Sequence, residues 1–537
     1  MAQQLSTINL VAPAFKGVNT EDSPIAQDPS FAEVADNAII DKRGRIASRK
    51  GYSVLTTDRS ELLNTTPNPD VYEPVRAIAE FRDSGGNTEI FSVGNNKILS
   101  GTTTLVDETP SGYSITADNW KIVNFNDRIY MFQRGYEPLV YDNTSGAVEA
   151  MSDHTHSNGV ASTMYGNEVL AAYGRLWTAD FTTDKSTIYW SDLLNGLHWS
   201  GGTSGSIDIS KVWPDGYDEI VALAAHNGLL IIFGQHSIVV YQGAEAPATM
   251  SLVDTVAGVG CVDRDTIQHT GTDVLFLSHT GLRSFGRTIQ EKSMPISTLS
   301  KTITKDLISL IQDENSFYRT VYSPEENFYL LTFVGQSTTY CFDLRGALED
   351  GSLRVTRWPS SVFSAYERLQ NGKLYVGSDQ GISEYKGYQD NGESFRFKYY
   401  SPSLTFGDAS KLKFIKKIKP TIIGASGEVA SIKFAYDFDG TYRSVAFRIP
   451  ESGQVAEFND PDNPVANAVF AQFNDPDNLV ANAVISEYAG ESSQIIRKGL
   501  NATGNGSTVV VGLEADINGN ALSLQEINIL ALIGKTL

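Results

Sequence analysis

Cysteine is almost absent from this sequence: of 537 residues, only Cys261 and Cys341 are cysteines. Two are too few for a disulfide framework, and their spacing matches no metal-binding motif. We therefore expect two buried free thiols. No apolar run approaches the length that spans a bilayer, and the N-terminus lacks the pattern of a secretory signal. Both absences predict synthesis in a cytoplasm.

Basic residues are also few, since 42 Lys and Arg stand against 63 Asp and Glu and leave a formal net charge of −21. A surface of this sign repels nucleic acids and anionic membranes, so tight DNA binding is not expected. An acidic or neutral wall would instead suit a pore through which DNA slides without adhering.

One structural unit recurs between about residue 70 and residue 390: a strand, a turn rich in Gly, Asn or Asp, and a second strand ending in an aromatic residue. The instances begin at Val75, Trp120, Val169, Glu219, Thr266, Arg319 and Ser364. Their spacing, roughly 46 residues, lies between the WD40 and kelch periods of propeller blades. Turns such as "FNDR", "AYGR" and "AHNG" suit antiparallel hairpins. We predict an all-β protein with a six- or seven-bladed β-propeller; two successive β-sandwiches are the alternative.

The stretch from Leu299 to Ser316 departs from the strand pattern. Its apolar residues, among them Ile303, Leu307 and Ile311, fall on one face of a helix with 3.6 residues per turn. This spacing predicts a single helix laid on the propeller between blades. A helix that docks a partner is the alternative.

After Tyr385 the sequence pattern changes to predicted strands that alternate with Gly-rich and Asn-rich turns. This pattern is typical of a β-sandwich or a small barrel. We place a domain boundary near residue 392. In "KLKFIKKIK" lysines alternate with apolar residues, which predicts a half-exposed strand or, alternatively, a contact with an acidic neighbouring subunit. The lysines are Lys411, Lys413, Lys416, Lys417 and Lys419.

This second domain contains a tandem repeat, "FNDPDNPVANAVFAQ" followed by "FNDPDNLVANAVISE". Oxygen-rich loops of this kind can hold calcium, but an EF-hand loop would need Gly and Glu where the first copy has Val465 and Ala471. We expect an exposed loop, because Asp-Pro and Asp-Asn pairs form turns. The repeated carboxylates are also our candidate for a gate that constricts a channel. They are Asp460, Asp462, Asp475 and Asp477.

The motifs of the common enzyme classes are missing: there is no Walker loop, no dinucleotide glycine pattern after a strand, no H-E-x-x-H and no G-x-S-x-G. Asp153, His154 and His156 have a spacing that a metal would accept, but in the polar loop "SDHTHSNG" they more simply indicate solvated side chains. We predict no catalytic residues, no cofactor and no metal. The hypothesis that the protein is an enzyme rests on fold analogy alone, so we expect that it is not an enzyme.

The stretches "GVNTEDSP" and "ADNAIIDKRGRIASRKGY", within residues 17–52, resemble the start of the tail nozzle proteins of short-tailed bacteriophages, also called tail hub or head-to-tail stabilisation proteins. Further resemblances follow in the same order along the chain. They are "VGCVDRDTIQHTGTDVLFLSHTGLRSF" from Val259, "SPSLTFGDASKLKFIKKIKP" from Ser401 and the closing "ALSLQEINILALIGKTL".

The resemblance implies a structural virion protein. Six copies would form a tube below the portal and its adaptor ring, keep the genome in, and conduct DNA at ejection without binding it specifically. Tail fibres or spikes would be carried or lie nearby, and the chain would have no membrane span. We divide it into an N-terminal extended docking segment (1–70), the propeller (71–392) and a C-terminal β domain (393–537).

The first of these parts contains the densest basic cluster of the chain. We predict that it docks on an acidic neighbour, either the adaptor ring or an adjacent nozzle subunit. Alternatively, it pairs internally with the acidic propeller surface. The cluster consists of Lys42, Arg43, Arg45, Arg49 and Lys50.

The main rival function is a receptor-binding or carbohydrate-binding propeller of a phage tail, and a glycan-active propeller enzyme is a second. In the first case exposed tryptophans would stack on sugar rings. Because aromatic residues end strands throughout the chain, the same tryptophans more simply indicate blade core. They are Trp177, Trp190, Trp199 and Trp213.

Overall fold

The computed structural model describes residues 5–64, 71–116, 118–158, 161–291, 298–313, 317–359, 362–450 and 495–536. It is an all-β protein, as predicted. The chain divides into two compact units. The first comprises Met1–Gly51, Arg354–Arg357 and Lys386–Leu537, and the second comprises Tyr52–Leu353 and Trp358–Tyr385.

The first unit begins with four short strands. They are β1 (Leu5–Val11), β2 (Val34–Asp36), β3 (Ala38–Ile40) and β4 (Ile46–Ser48).

The second unit is the propeller, and it starts with β5 (Tyr52–Val54). Four sheets of four antiparallel strands follow. They are β6 (Ala77–Arg82), β7 (Thr88–Gly94), β8 (Lys97–Ser100), β9 (Val106–Asp107); β10 (Lys121–Phe125), β11 (Arg128–Phe132), β12 (Leu139–Asp142), β13 (Glu149–Ala150); β14 (Glu168–Ala172), β15 (Arg175–Ala179), β16 (Thr187–Trp190), β17 (Gly205–Asp208); and β18 (Ile220–His226), β19 (Leu229–Gly234), β20 (Ser237–Gln242), β21 (Ser251–Ala257).

A smaller sheet and the described helices come next. They are β22 (Gln268–His269), β23 (Val274–Ser278), β24 (Gly281–Ser284), α1 (Phe285–Gln290) and α2 (Thr304–Ile311). The later strands are β25 (Tyr318–Ser323), β26 (Phe328–Phe333), β27 (Thr338–Ala347), β28 (Leu353–Trp358), β29 (Ala365–Arg368), β30 (Leu374–Ser378) and β31 (Gly381–Tyr385). Short 3₁₀ turns lie at Ser60–Leu62, Ala161–Thr163, Pro247–Thr249, Arg264–Thr266 and Lys301–Ile303.

The first strand of each sheet faces the centre of a ring. Consecutive inner strands contact each other, β6 with β10, β10 with β14, β14 with β18, β22 with β25, β25 with β29 and β29 with β6, while β18 meets the turn before β22. Six small sheets form a six-bladed β-propeller. The meander β25–β27 is not one of these six sheets, because it belongs to a larger sheet. Its inner strand β25 nevertheless lies in the ring, between β22 and β29. The expected count of six or seven blades is confirmed.

Local sequence explains why the hairpins form. Asn126 and Asp127, Tyr173 and Gly174, and Asn227 and Gly228 all have positive φ. Pairs of left-handed residues make the two-residue turns that match the twist of adjacent antiparallel strands. These are the "FNDR", "AYGR" and "AHNG" turns of the sequence prediction.

Apolar clusters lie between neighbouring sheets and hold them together. One joins the sheet of β14–β17 to that of β18–β21 through Trp177, Trp190 and Trp213. Trp199 belongs to the cluster that joins the sheet of β10–β13 to that of β14–β17. Because all four predicted tryptophans are at most 6% exposed, their assignment to blade core is confirmed.

The ends of the propeller meet in one sheet. β5 pairs antiparallel with β31, so the sheet β29–β30–β31–β5 contains residues from both ends of the unit. The backbone N–H of Leu55 extends the pairing by donating to the carbonyl of Ile382 at 2.9 Å. This pairing closes the ring.

The predicted helix within Leu299–Ser316 is present but shorter, because a 3₁₀ turn precedes α2 and residues 314–316 lie outside the described ones. Ile303 and Leu307 are buried, as the apolar face predicted. No helix among the described residues is long and apolar enough to cross a membrane.

Nine further strands lie in the described part of the first unit after residue 386. They are β32 (Phe395–Tyr400), β33 (Lys411–Gly424), β34 (Val429–Tyr436), β35 (Arg443–Arg448), β36 (Ile495–Arg497), β37 (Leu500–Asn501), β38 (Asn505–Gly506), β39 (Val509–Ile517) and β40 (Leu522–Thr536). One sheet is centred on the long pair β33–β40, with β1, β3, β4 and β36–β38 around it. The other has the order β2–β32–β39–β34–β35.

The lysine-rich strand β33 alternates as predicted, with Lys416 exposed between the buried Ile415 and Ile418. Lys413 differs, because its side chain is buried and its Nζ donates to the carbonyls of Asp408 and Ser507. Burial lowers the pKa of Lys413.

The domain boundaries differ from the prediction at the N-terminus. Residues 1–70 are not a separate docking segment, because 1–51 belong to the unit that also contains 386–537, and Tyr52 starts the propeller. β1 and β4 pair with β40, close to the other end of the chain. The second boundary, predicted near residue 392, lies at 385/386.

Candidate functional site

Charged side chains gather where the inner strands of the propeller begin. We call this group the axial cluster and define it by the residues that follow. They are Arg76, Lys121, Glu168, Arg264, Asp265 and Arg319. Each lies at or just before the start of an inner strand, so the ring brings residues from five separate sheets to one place.

One half of the axial cluster is a buried ion pair. Lys121 Nζ donates to both carboxylate oxygens of Glu168 at 2.8 Å. Glu168 is fully buried, and its Oε1 also accepts from the backbone N–H of Leu223 at 3.2 Å. The contacts join three consecutive sheets. Burial raises the pKa of Glu168 although the charge of Lys121 opposes the shift.

The other half is organised by Arg319. Its Nε donates to the carbonyls of Arg76 at 3.2 Å and Ser364 at 3.0 Å, and its Nη1 donates to Asp265 Oδ2 at 2.9 Å. One guanidinium therefore contacts the entry to β6, the residue before β29 and the turn before β22. A planar group with several fixed donors is suited to satisfying carbonyls from separate strands.

Asp265 forms ion pairs with two arginines. Arg264 Nε lies 3.4 Å from its Oδ1, and Arg319 contacts its Oδ2. Burial alone would raise the pKa of Asp265, but the charges of Arg264 and Arg319 outweigh it and hold the pKa below its usual value. The neighbouring Asp263 shows the opposite balance, because burial and the charge of Asp265 raise its pKa.

The axial cluster surrounds a cavity of about 240 Å³, which we call the axial cavity. It is lined by the starts of β6, β10, β22, β25 and β29. Its charged lining residues are Arg76, Lys121, Arg264, Asp265, Arg319 and Glu367. Four of these six are cations, in a chain whose net charge is −21.

Glu367, on β29, adds a titrating carboxyl to the cavity. Burial, reinforced by the charge of Glu80 on the adjacent β6, raises the pKa of Glu367 from an ordinary 4.5 to about 8. The side chain is therefore mostly protonated and uncharged at pH 7, and it can donate a hydrogen bond.

Two residues of the predicted docking cluster are committed to internal contacts. Arg49 is buried, its Nη1 and Nη2 donate to Asp390 at 2.8 and 2.6 Å, and its guanidinium lies 4.0 Å from the centroid of the Phe395 ring. Arg45 pairs with Asp41 at 2.7 Å. Surface docking is therefore a wrong prediction for Arg49, since its side chain does not reach solvent.

The remaining members of that cluster are placed differently. Lys42 and Arg43 are exposed in the turn between β3 and β4, and Lys50 is half-buried. Docking through Lys42, Arg43 and Lys50 stays a prediction. The gate candidates Asp460, Asp462, Asp475 and Asp477 lie outside the described residues.

In the loop "SDHTHSNG", considered above as a metal site, the His154 side chain is already hydrogen-bonded. His154 is buried rather than solvated, its Nε2 contacts Asp142 at 3.1 Å, and its Nδ1 accepts from the backbone N–H of His156 at 3.2 Å. Both ring nitrogens of His154 therefore already have hydrogen-bond partners. Among the described residues no group of three or more His, Cys, Asp or Glu could hold a metal ion.

The sequence prediction missed the axial cluster altogether. Its signal is faint: a charged residue sits at the first strand of several repeats, in "WKIVNF", "VDRDTIQH" and "FYRTVYS". Charged residues at strand ends are ordinarily solvent-exposed, so the pattern acquires meaning only when the ring closes.

No protein-family model matches this chain, and no curated protein matches it. Several solved structures are similar in shape. The extracellular domain of a proposed one-component system of B. thetaiotaomicron is 11% identical with a TM-score of 0.40 over 75% of this chain, and the chain spans 46% of that protein. Streptogramin B lyase is 10% identical (TM-score 0.34, 60% of this chain, 95% of that one). The Neurospora crassa Pan2 WD40 domain is 8% identical (TM-score 0.33, 63% and 94%). Similarity this distant carries no argument about function.

We expect Lys121→Met to lower the free energy of unfolding of the propeller by about 3 kcal/mol, because it leaves the Glu168 carboxylate buried without its partner. The double variant K121M/E168Q should recover part of the loss, since Gln still offers an acceptor to Leu223. Urea unfolding followed by tryptophan fluorescence measures both. The control is K97M, whose ion pair with Glu61 is about one-third exposed on each side and should cost below about 1 kcal/mol. Equal costs for K121M and K97M would contradict the prediction.

A second prediction concerns pH. Because the pKa of Glu367 is raised to about 8 in the folded chain, the folded state holds this proton more tightly than the unfolded state. The stabilising contribution is complete below the ordinary pKa of 4.5 and is lost as pH rises towards 8. Relative to wild type, Glu367→Gln should therefore gain stability between pH 5 and pH 8. Urea unfolding across this range checks the slope. The exposed Glu349→Gln serves as control, and parallel pH curves for wild type and E367Q would refute the prediction.

Proposed function

We propose that this chain is a structural subunit of a phage tail, the nozzle that forms a ring below the portal and its adaptor. In this function it closes the DNA channel in the virion and conducts DNA at ejection. The protein acts by assembly rather than by catalysis. It is made in the host cytoplasm and functions in the virion.

The observation that carries the proposal is where the resembling segments lie. Three of them are far apart in sequence, within residues 17–52, 401–420 and 521–537. Most of their residues fold into one unit, because β40 pairs with β4 through Ile46 and Leu524 and with β33 through Ile418 and Ile529. The fourth segment, from Val259, belongs to the propeller. Three of the four resembling segments thus meet in one compact unit, although they are far apart in sequence.

The "SRKGY" motif supports a structural reading of the first segment. Arg49 anchors Asp390 and stacks on Phe395. A side chain at Gly51 would place its Cβ 1.9 Å from the carbonyl oxygen of Gln389, so glycine is required there. The motif fastens the N-terminal stretch to the residues that follow the propeller.

The charge of the chain is compatible with a conduit. At −21 per subunit a closed ring would repel a polyanion, which favours sliding over binding. The carbohydrate-binding alternative loses its predicted stacking residues, because Trp177, Trp190, Trp199 and Trp213 are buried. No described feature favours the enzyme alternative over the nozzle.

The direct test is immunogold labelling of phage particles with an antibody against this chain, combined with single-particle averaging of the tail. We expect label and symmetric density on the tail axis beneath the portal. Label on peripheral spikes would favour receptor binding, and absence from purified particles would overturn the proposal.

The exposed docking candidates Lys42 and Arg43 allow a more specific prediction. Reversing both exposed charges, as in K42E/R43E, should reduce the yield of DNA-filled particles at least about tenfold if this turn contacts an acidic neighbour. The purified variant should keep its unfolding temperature, since both side chains are exposed. Lys211→Glu on the propeller is the matched control. Normal particle yield from a well-folded K42E/R43E variant would remove this turn from the interface.

A further inference from the structure

The axial cavity has features of a binding site that neither the fold nor the nozzle proposal requires. It is lined on several sides by side chains whose donors converge from separate sheets, and it has a volume of about 240 Å³. A cavity of this size admits a small ion or metabolite fragment, since sites for larger ligands span about 300–1,000 Å³.

The cations of the cavity are not equally neutralised. Lys121 is matched by Glu168, and Arg319 is matched by Asp265, each at hydrogen-bond distance. Arg76 is different: its Nε lies 3.9 Å from Asp118 Oδ2, which is beyond hydrogen-bond distance. The Arg76 guanidinium lines the cavity, and its N–H groups can donate hydrogen bonds to a bound ion.

Arg264 provides an independent observation. Its side chain is 3% exposed, and its Nη1 has no hydrogen-bond partner among the described residues. A buried guanidinium donor without an acceptor costs free energy, and such groups ordinarily have one. Arg264 also lines the axial cavity, so its charge attracts an anion there, while the enclosed Nη1 adds charge and no direct contact.

We infer that the axial cavity binds a small anion, a carboxylate or a phosphate, which Arg76 contacts and Arg264 attracts by its charge. Lys121 and Arg319 contribute positive potential while they remain paired with their carboxylates. Glu367, mostly uncharged at neutral pH, adds a donor instead of a repelling charge. A planar guanidinium matches both carboxylate and phosphate geometry, so the two chemistries share one arrangement of donors.

This inference stands independently of the nozzle proposal. The cavity lies wholly within the propeller, and none of its lining residues belongs to the segment around Lys42 and Arg43. Small-anion binding and virion assembly can therefore succeed or fail separately.

The test is isothermal titration of the full chain with inorganic phosphate and, separately, with malonate, at constant ionic strength held by sodium chloride. We expect saturable binding of at least one of them with a stoichiometry near one. Stronger binding of phosphate would identify a phosphate site, and stronger binding of malonate would identify a carboxylate site. Absence of saturable heat with both anions would overturn the inference.

Variants locate the binding. Arg76→Gln should weaken it about tenfold, and Arg76→Lys should weaken it less, because the charge remains while the planar arrangement of donors is lost. Arg82→Gln is the matched control, because Arg82 ends the same strand β6, is exposed, and does not line the cavity. Equal weakening by R76Q and R82Q would place the anion elsewhere and refute the assignment. Should R76Q fail to fold, the titrations of wild type and R82Q still test the inference, because absence of saturable heat with wild type, or loss of binding in R82Q, would refute it.

Discussion

The ring of inner strands imposes the constraint on which the propeller depends. Each sheet brings the start of its first strand to the same place, where backbone carbonyls and amides from several strands converge. Buried polar groups must find partners. Arg319 satisfies carbonyls at the entries to β6 and β29, and Glu168 satisfies the amide of Leu223 in β18 while it pairs with Lys121. The polar centre thus fixes the position of each sheet relative to its neighbours.

Packing and polar contacts divide the task of holding the ring. Apolar clusters between adjacent sheets, such as the one around Trp177 and Trp213, supply burial without specifying register closely. The axial ion pairs have directional geometry, and the desolvation of Glu168 opposes their Coulomb energy, so their main effect is on which arrangement forms. β5 completes the last sheet and prevents the two ends of the unit from separating.

Much of the propeller could be predicted because its signals are local. Turn pairs such as Asn227 and Gly228 and the strands beside them are contiguous in sequence, and their recurrence reveals the ring. The first unit could not be predicted this way. Its central sheet joins residues near 46 to residues near 524, and a pairing across that separation leaves no local pattern. Arg49 was assigned to a surface for the same reason: its partners Asp390 and Phe395 are distant in sequence, and charge alone does not reveal burial.

The axial cluster shows that a strongly acidic chain can contain a local group of cations. Four cations lie within a cavity of about 240 Å³, too small to admit a polynucleotide, and two of them already hold carboxylates. The long-range field follows the net charge of −21, whereas an ion inside the ring experiences the nearest guanidinium groups. Screening at physiological salt separates the two effects over about 8 Å. The proposed repulsion of DNA and the proposed binding of a small anion are therefore compatible in one chain.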